Sequence, residues 1–199
     1  VVHLKKSLLS KMPGDQWQQF ANLRLLYAYM FTQPGKKLLF MGADLAQYDE
    51  WDHQHAIQWD LLKYPYHQGI QNLVADLNKL YTSEPGLYQH DFSHAGFEWL
   101  NCHDSSQSVL SYCRKGDENA LIIILNFTPI PRYDYSIGVH EAGFYEEVMN
   151  TDAQIYGGSN LGNIGGLYTD ECEWGGFHYS LRLTVPPLAA IVLKHKQSG

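Results

Sequence analysis

An α/β segment followed by an all-β, antiparallel sandwich is the fold class that this 199-residue sequence predicts. Three observations carry it. Two stretches within the first 80 or so residues repeat apolar side chains at helical spacing and flank a short apolar run. From about Phe92 the pattern breaks into short strand-like runs separated by turn chemistry. One of those runs, FHYSLRLTV, alternates strictly between apolar and polar positions.

The elements follow in order. Gly14-Asp15 can open a helix, with Asp15 near the N-cap, over QWQQFANLRLLYAYMF. Phe20, Leu23, Tyr27 and Met30 share one face of it, and Gln33-Pro34-Gly35 stops it. KKLLFMG reads as a short buried strand ended by Gly42. An acidic loop follows, and then a second helix from about His67 to Tyr81. Its stripe is Ile70, Leu73, Val74, Leu77, Leu80 and Tyr81, and Glu84-Pro85-Gly86 ends it. The strand-like runs are FEWLNC, SVLSYCRK, ALIIILNF, FYEEVMN, FHYSLRLTV and LAAIVLK. In FHYSLRLTV, Phe177, Tyr179, Leu181, Leu183 and Val185 fall on one face. These runs predict an antiparallel sandwich, with the organisation 1–88 and 89–199. Tyr156–Gly176, with seven glycines, is expected to be a long surface loop, since it lacks a phosphate-loop pattern.

Composition excludes several classes. The formal net charge is −7 and no basic footprint is visible, so nucleic acid is not an expected partner. No apolar run reaches the ~18 residues of a membrane span. Three cysteines without a C-x-x-C spacing argue against a disulfide framework and a zinc site, and suit reduced thiols in the cytoplasm. The sequon at Asn126-Phe127-Thr128 abuts a strand and reads as structural. Aromatic residues reach 14 %, which suits stacking on sugar rings and suits an aromatic core equally. The chain opens VVHLKKSLL, without Met, and is expected to be cut from something longer.

The loop after KKLLFMG holds the candidate chemistry. Asp44 and Glu50 have spacing compatible with the pair of carboxylates that cleave a glycosidic bond. Loop acids also cap helices and bind water. His53 and His55 form an H-x-H pair without a third ligand at a recognisable spacing, so no metal is expected. No G-x-S-x-G is present. Trp17, Trp51 and Trp59 could be sugar platforms or buried anchors.

Longer strings are more specific. VVHLKKSLLSKMPGDQWQQFANLRLLYAYMFTQPGKKLLFMG resembles the C-terminal half of bacterial 1,4-α-glucan branching enzymes, in the α-amylase superfamily. EWDHQHAIQWDLL, HQGIQNLVADLN, GFEWL, NFTPIPRYDY, NTDAQIYGGSN and LTVPPLAAIVL continue the resemblance in register. It implies that the first domain is the C-terminal remnant of a (β/α)8 TIM barrel, with KKLLFMG as its last strand. The second would be the C-terminal β-sandwich. It also implies a double displacement by an Asp nucleophile and a Glu acid/base, with a second Asp stabilising the transition state. All three would lie upstream of Val1, so the chain alone is expected to be inactive. No cofactor is implied; the partners would be an α-glucan such as glycogen or amylose, and the rest of the parent polypeptide. The loop from Ala43 to His53 becomes the rim of the cleft. The expected glucan-binding residues are His3, Lys5, Trp17, Asp44, Glu50 and Trp51.

The family commonly has Gly where this chain has Leu4, and Asn-Glu-Phe where it has Ala43-Asp44-Leu45. Contacts made by that loop are therefore open. The alternatives are a stand-alone glucan-binding module and a piece of an amylase-type hydrolase. A barrel remnant on its own leaves apolar faces uncovered, so the isolated chain is expected to oligomerise through that segment or to pack it loosely.

Overall fold

The computed structural model describes residues 4–196. Helix α1 is a single turn, Leu8–Lys11, capped by the Ser7 hydroxyl. Helix α2 spans Gln16–Thr32. Its N-cap is Asp15, as the sequence predicts, and the Gln18 side chain returns a bond to the Asp15 N–H, closing a capping box. Helix α3 spans Pro65–Ser83 and starts earlier than its apolar stripe, because Pro65 occupies the first turn, where no N–H is needed.

Eight strands follow: β1 (Phe97–Asn101), β2 (Val109–Lys115), β3 (Ala120–Asn126), β4 (Arg132–Val139), β5 (Phe144–Asn150), β6 (Gly166–Tyr168), β7 (Tyr179–Val185) and β8 (Ala189–Lys196). Six form one antiparallel sheet in the order β1-β2-β3-β8-β5-β6, and β4 pairs with β7 in a second sheet. The inner faces of the two sheets enclose Val109, Ile122, Ile124, Ile137, Leu181, Leu183, Ile191 and Leu193.

The outer face of the six-stranded sheet is not solvated. Leu121, Ile123, Leu125, Ala190 and Val192 pack there against Phe20, Leu23, Ile70, Leu73 and Leu77 of the helices. Strand β3 is therefore covered on both sides, which explains why ALIIILN is apolar without alternation. Strand β7 borders one core only and alternates: Leu181, Leu183 and Val185 are buried while Arg182 is exposed.

Two buried arginines tie the helices to the sheet. Arg24 of α2 donates to the carbonyls of Thr151 and Tyr156 at 2.9 and 3.3 Å, and faces Asp152 at 3.9 Å. Arg114 of β2 donates to the carbonyls of Gly96, Thr32 and Leu87 at 3.1, 2.7 and 3.0 Å, and to Asp91 at 2.9 Å. Asp152 also accepts from the Ser159 and Leu161 N–H groups, so NTDAQIYGGSN is a folded turn, with Gly158 where a Cβ would overlap the Asp152 carbonyl.

Some expectations need correction. KKLLFMG, predicted as a buried strand, belongs to neither sheet; residues 36–40 have no regular structure, and Leu38 is 76 % exposed. A segment becomes a strand only through ladder partners, and the described residues offer it none. Strand β4 was hidden by Pro129, Pro131 and Asp134, the last at φ 52° in a bulge; its inward residues are Tyr135, Ile137 and Val139. The glycine-rich stretch is not all loop, since it contains β6 and a bridge from Asp170 to Ser180. Asn126 of the sequon is fully buried and donates to the carbonyls of Ile130 and Pro186, a structural role as read. The three cysteines are unpaired thiols. No helix among the described residues is long and apolar enough to cross a membrane.

Candidate functional site

The site grows out of the end of α2. Gln33 caps the helix, and Gly35 at φ 100° turns the chain into KKLLFMG. Met41, Gly42 and Ala46 all have positive φ, so residues 41–46 form a hook around the short turn Ala43–Leu45. A Cβ on Gly42 would overlap the Gln47 side chain, which explains glycine there.

Both helices hold the hook. The Tyr27 hydroxyl of α2 donates to the Ala43 carbonyl at 2.6 Å. Burial, and then the nearby Asp44 carboxylate, push the Tyr27 phenol well above its usual range, so it stays a donor. His67 of α3 is buried and meets the Leu45 carbonyl at 2.9 Å through Nδ1, which therefore carries the proton.

Beyond the hook, polar residues set the loop. The Tyr48 carbonyl accepts from Ser7 and Ser10 at 3.0 and 2.7 Å, and its hydroxyl accepts from Gln16 at 3.0 Å. Gln47 Oε1 accepts from the Gln58 N–H, and Gln58 Nε2 donates to Asp49 at 2.6 Å. The Lys5 N–H lies 3.3 Å from Glu50 Oε1. Trp51 stands edge-on to Phe40, with ring centres 5.4 Å apart. Asp52 is held below the usual carboxylate range by the Gln54 N–H and then by His55, whose Nδ1 lies 2.5 Å away.

Two adjoining cavities result. One, about 430 Å³, lies between the hook, α1 and α2 and is lined largely by apolar residues including Leu26, Leu38 and Phe40. The other, about 230 Å³, is polar, with Gln47, Asp52, His55 and Gln58. Asp49 and Glu50 line both. Carboxylates, amides and an aromatic pair at one rim suit a ligand rich in hydroxyl groups.

The sequence-predicted residues separate on this geometry. Lys5, Glu50 and Trp51 come together at the rim. Asp44 lines neither cavity and sits beside Tyr27, so the anticipated pairing of Asp44 with Glu50 is not assembled at one cleft. Trp17 is half-buried in the first turn of α2 and also lines neither, although its neighbour Gln16 reaches Tyr48. His3 lies outside the described residues. His53 and His55 do not belong to a metal-binding cluster among the described residues. Sequence reasoning missed Gln47, Tyr48 and Gln58, which shape the loop. Uncharged residues in an aperiodic stretch give no pattern to find them by.

A helical layer covers one face of a two-sheet antiparallel sandwich, with an acidic hook at one end. Residues 99–196 match the family described as alpha amylase, C-terminal all-beta domain. Over nearly its whole length it is similar to bacterial 1,4-alpha-glucan branching enzymes GlgB. It is 56 % identical over 194 residues to the protein of Cellvibrio japonicus and 57 % over 196 residues to that of Nitrosococcus oceani. Each match covers 98 % of this chain and 26 % of the relative. The chain thus spans about a quarter of the length of these relatives. Two solved structures share the fold. One is the debranching enzyme from Nostoc punctiforme, with a TM-score of 0.65, 16 % identity, and 98 % of this chain and 34 % of that one covered. The other is the cyclomaltodextrin glucanotransferase CldA, with 0.60, 12 %, 92 % and 33 %.

Proposed function

We propose that this chain is the C-terminal portion of a cytoplasmic 1,4-α-glucan branching enzyme. The parent would cleave an α-1,4-glucan and transfer the segment to a C6 hydroxyl, making an α-1,6 branch. Identity above 50 % along 98 % of the chain to named branching enzymes carries the reading. The run at residues 36–40 supports it. With Leu38 and Phe40 exposed beside an apolar cavity, it is a strand shaped for neighbours that the rest of a barrel would supply.

In this reading residues 1–88 complete the catalytic barrel and 89–199 form the C-terminal sandwich. The nucleophile, the acid/base and the stabilising carboxylate come from elsewhere in the polypeptide, and no catalytic role falls to this chain. Its hook would border the cleft. Glu50, Asp49 and Gln58 would accept or donate hydrogen bonds to sugar hydroxyls, and Trp51 would present a ring face to sugar C–H groups. Such a rim favours a second glucan chain over water as the acceptor. Asp44 and Trp17 would contribute from the margins, together with His3 and Lys5.

The test is linkage analysis of amylose treated with the whole polypeptide. New α-1,6 linkages, released as short chains by a debranching enzyme, are the expected outcome, with none formed by the 199-residue chain alone. New reducing ends without α-1,6 linkages would instead identify a hydrolase. Trp17→Ala in the whole enzyme should weaken affinity for long amylose, and unchanged kinetics would remove Trp17 from the binding surface.

A further inference from the structure

Among the described residues, nine non-glycine positions have positive φ, and four of them fall in two short stretches, residues 4–6 and 41–46. Leu4 and Lys6 stand at 63° and 68°, the left-handed region that residues with a Cβ rarely adopt. Met41 and Ala46 belong to the hook. The two stretches are tied to each other. The Glu50 carboxylate accepts from the Lys5 N–H at 3.3 Å, and the Tyr48 carbonyl accepts from the Ser7 and Ser10 hydroxyls at 3.0 and 2.7 Å. Backbone strain persists where surrounding contacts over-determine it, and it gathers at functional sites.

The strained turn also carries an apolar side chain into water. Leu4 is 82 % exposed. Its Cα is two bonds from the Lys5 nitrogen, so it lies within about 6 Å of the Glu50 carboxylate oxygen. Glu50 lines both cavities of the hook, which puts Leu4 at their shared rim. Strain and apolar exposure thus meet in one residue, and glycine would remove both. The surroundings are charged, for Lys5, Lys6 and Asp49 are exposed beside it. A protein surface closing over Leu4 would have to desolvate those charges, whereas a sugar brings hydroxyl groups to them and a C–H face to the leucine.

We propose that Leu4 is a specificity-determining residue at the rim of the cleft: the strained turn, tied to the hook through Glu50 and Tyr48, holds its side chain where it covers the apolar face of an acceptor sugar and keeps water out. This rests on the function proposed above. There the glycosyl segment leaves the upstream nucleophile for either a C6 hydroxyl or water. In both cases the acceptor oxygen bonds the anomeric carbon and its proton passes to the upstream acid/base. Leu4 touches neither group and acts only on which acceptor arrives.

The experiment compares the whole polypeptide with its Leu4→Gly, Leu4→Ala and Leu4→Met variants on amylose, scoring new α-1,6 linkages against new reducing ends. Leu4→Gly and Leu4→Ala should each lower that ratio about fivefold, the factor that losing roughly 40 Å² of apolar contact implies. Leu4→Met, similar in volume, should stay within about twofold of the parent. Melting separates side chain from backbone. Leu4→Gly relieves the strain and should melt no lower than the parent, although it lacks the side chain. Ile164→Gly is the control, since Ile164 is fully exposed at φ 52° and lines neither cavity of the hook; its ratio should match the parent's. An unchanged ratio in Leu4→Gly and Leu4→Ala would overturn the inference, and a lowered melting temperature with it would mark Leu4 as a residue buried by the rest of the polypeptide. An equal fall in Ile164→Gly would overturn it too. A parent that makes no α-1,6 linkages would overturn the proposed function and this inference together, whereas a branching parent with indifferent Leu4 variants overturns the inference alone.

Discussion

Replacing Arg114 by Met should nearly unfold this chain, although Met fills a similar volume. Arg114 is fully buried and donates to four acceptors. They come from the end of α2, from the turn after α3, from the segment before β1 and from Asp91. Without the guanidinium, three carbonyls lose a donor, and the buried Asp91 carboxylate keeps only Lys36 at 3.2 Å and the Tyr81 hydroxyl at 3.4 Å. Breaking a buried ion pair by removing one partner costs about 3–5 kcal/mol, against a total stability of roughly 5–15 kcal/mol. At a urea dependence of about 2–3 kcal/mol per molar, the unfolding midpoint should fall by roughly 1–2.5 M. Adding Asp91→Leu removes the stranded charge, so the double variant should be less destabilised than the sum of the singles. Acid unfolding gives a second readout. Burial pushes the Asp91 carboxyl up, but the hydrogen bonds from Arg114 and Lys36 outweigh this and hold it below the usual range. A depressed folded value means that this stability is complete above the unfolded-chain value of roughly 3.9. It is lost as pH falls below that value, and the loss should be absent from the double variant. A midpoint shift below about 0.4 M for Arg114→Met would refute the view that this clamp joins the helices to the sheet.

Other outcomes follow from close contacts and exposure. Gly69→Ala should destabilise by about 1–3 kcal/mol, read as a lower melting temperature, because a Cβ there meets the Tyr156 carbonyl at 2.5 Å. The same change in an open helix would gain about 1 kcal/mol. Thiol titration of the native chain should count two fast cysteines, the exposed Cys102 and Cys172. Cys113 should react only after unfolding, since burial pushes its thiol up to about 12. Light scattering of the isolated chain should reveal self-association that Leu38→Glu with Phe40→Glu suppresses, because these residues are 76 % and 41 % exposed. A monomer before substitution would argue that this run needs no partner.

What the sequence disclosed depends on whether an element is stabilised locally. Helices α2 and α3 were legible in outline, α3 without its first turn at Pro65, because a helix closes its own hydrogen bonds and shows a buried stripe at a period of 3.6. Asp15 and Pro34 even marked its ends. Strand β7 was legible because it borders one core and must alternate. Strand β3 was read as buried, but ALIIILN could not say that helices cover its second face. The helices that cover it are tied to the sheet by Arg24 and Arg114, which look like ordinary surface cations in FANLRLL and SYCRK. Only the carbonyls they reach, up to 132 positions away in the chain, explain their burial.

The same reasoning accounts for the acidic hook. Its candidates were chosen for charge, and charge says nothing about which side chains converge. Glu50 and Trp51 meet at a rim because Gln47, Tyr48 and Gln58 bend the loop there, whereas Asp44 is turned toward Tyr27 by the positive-φ residues on either side. The run at residues 36–40 is the converse case. Its pattern is that of a buried strand, and its burial requires neighbours on both edges. A strand is a property of a pair of segments, so KKLLFMG can be correctly composed and still unpaired. Its exposed Leu38 and Phe40 are the side chains that the proposed barrel neighbours would cover.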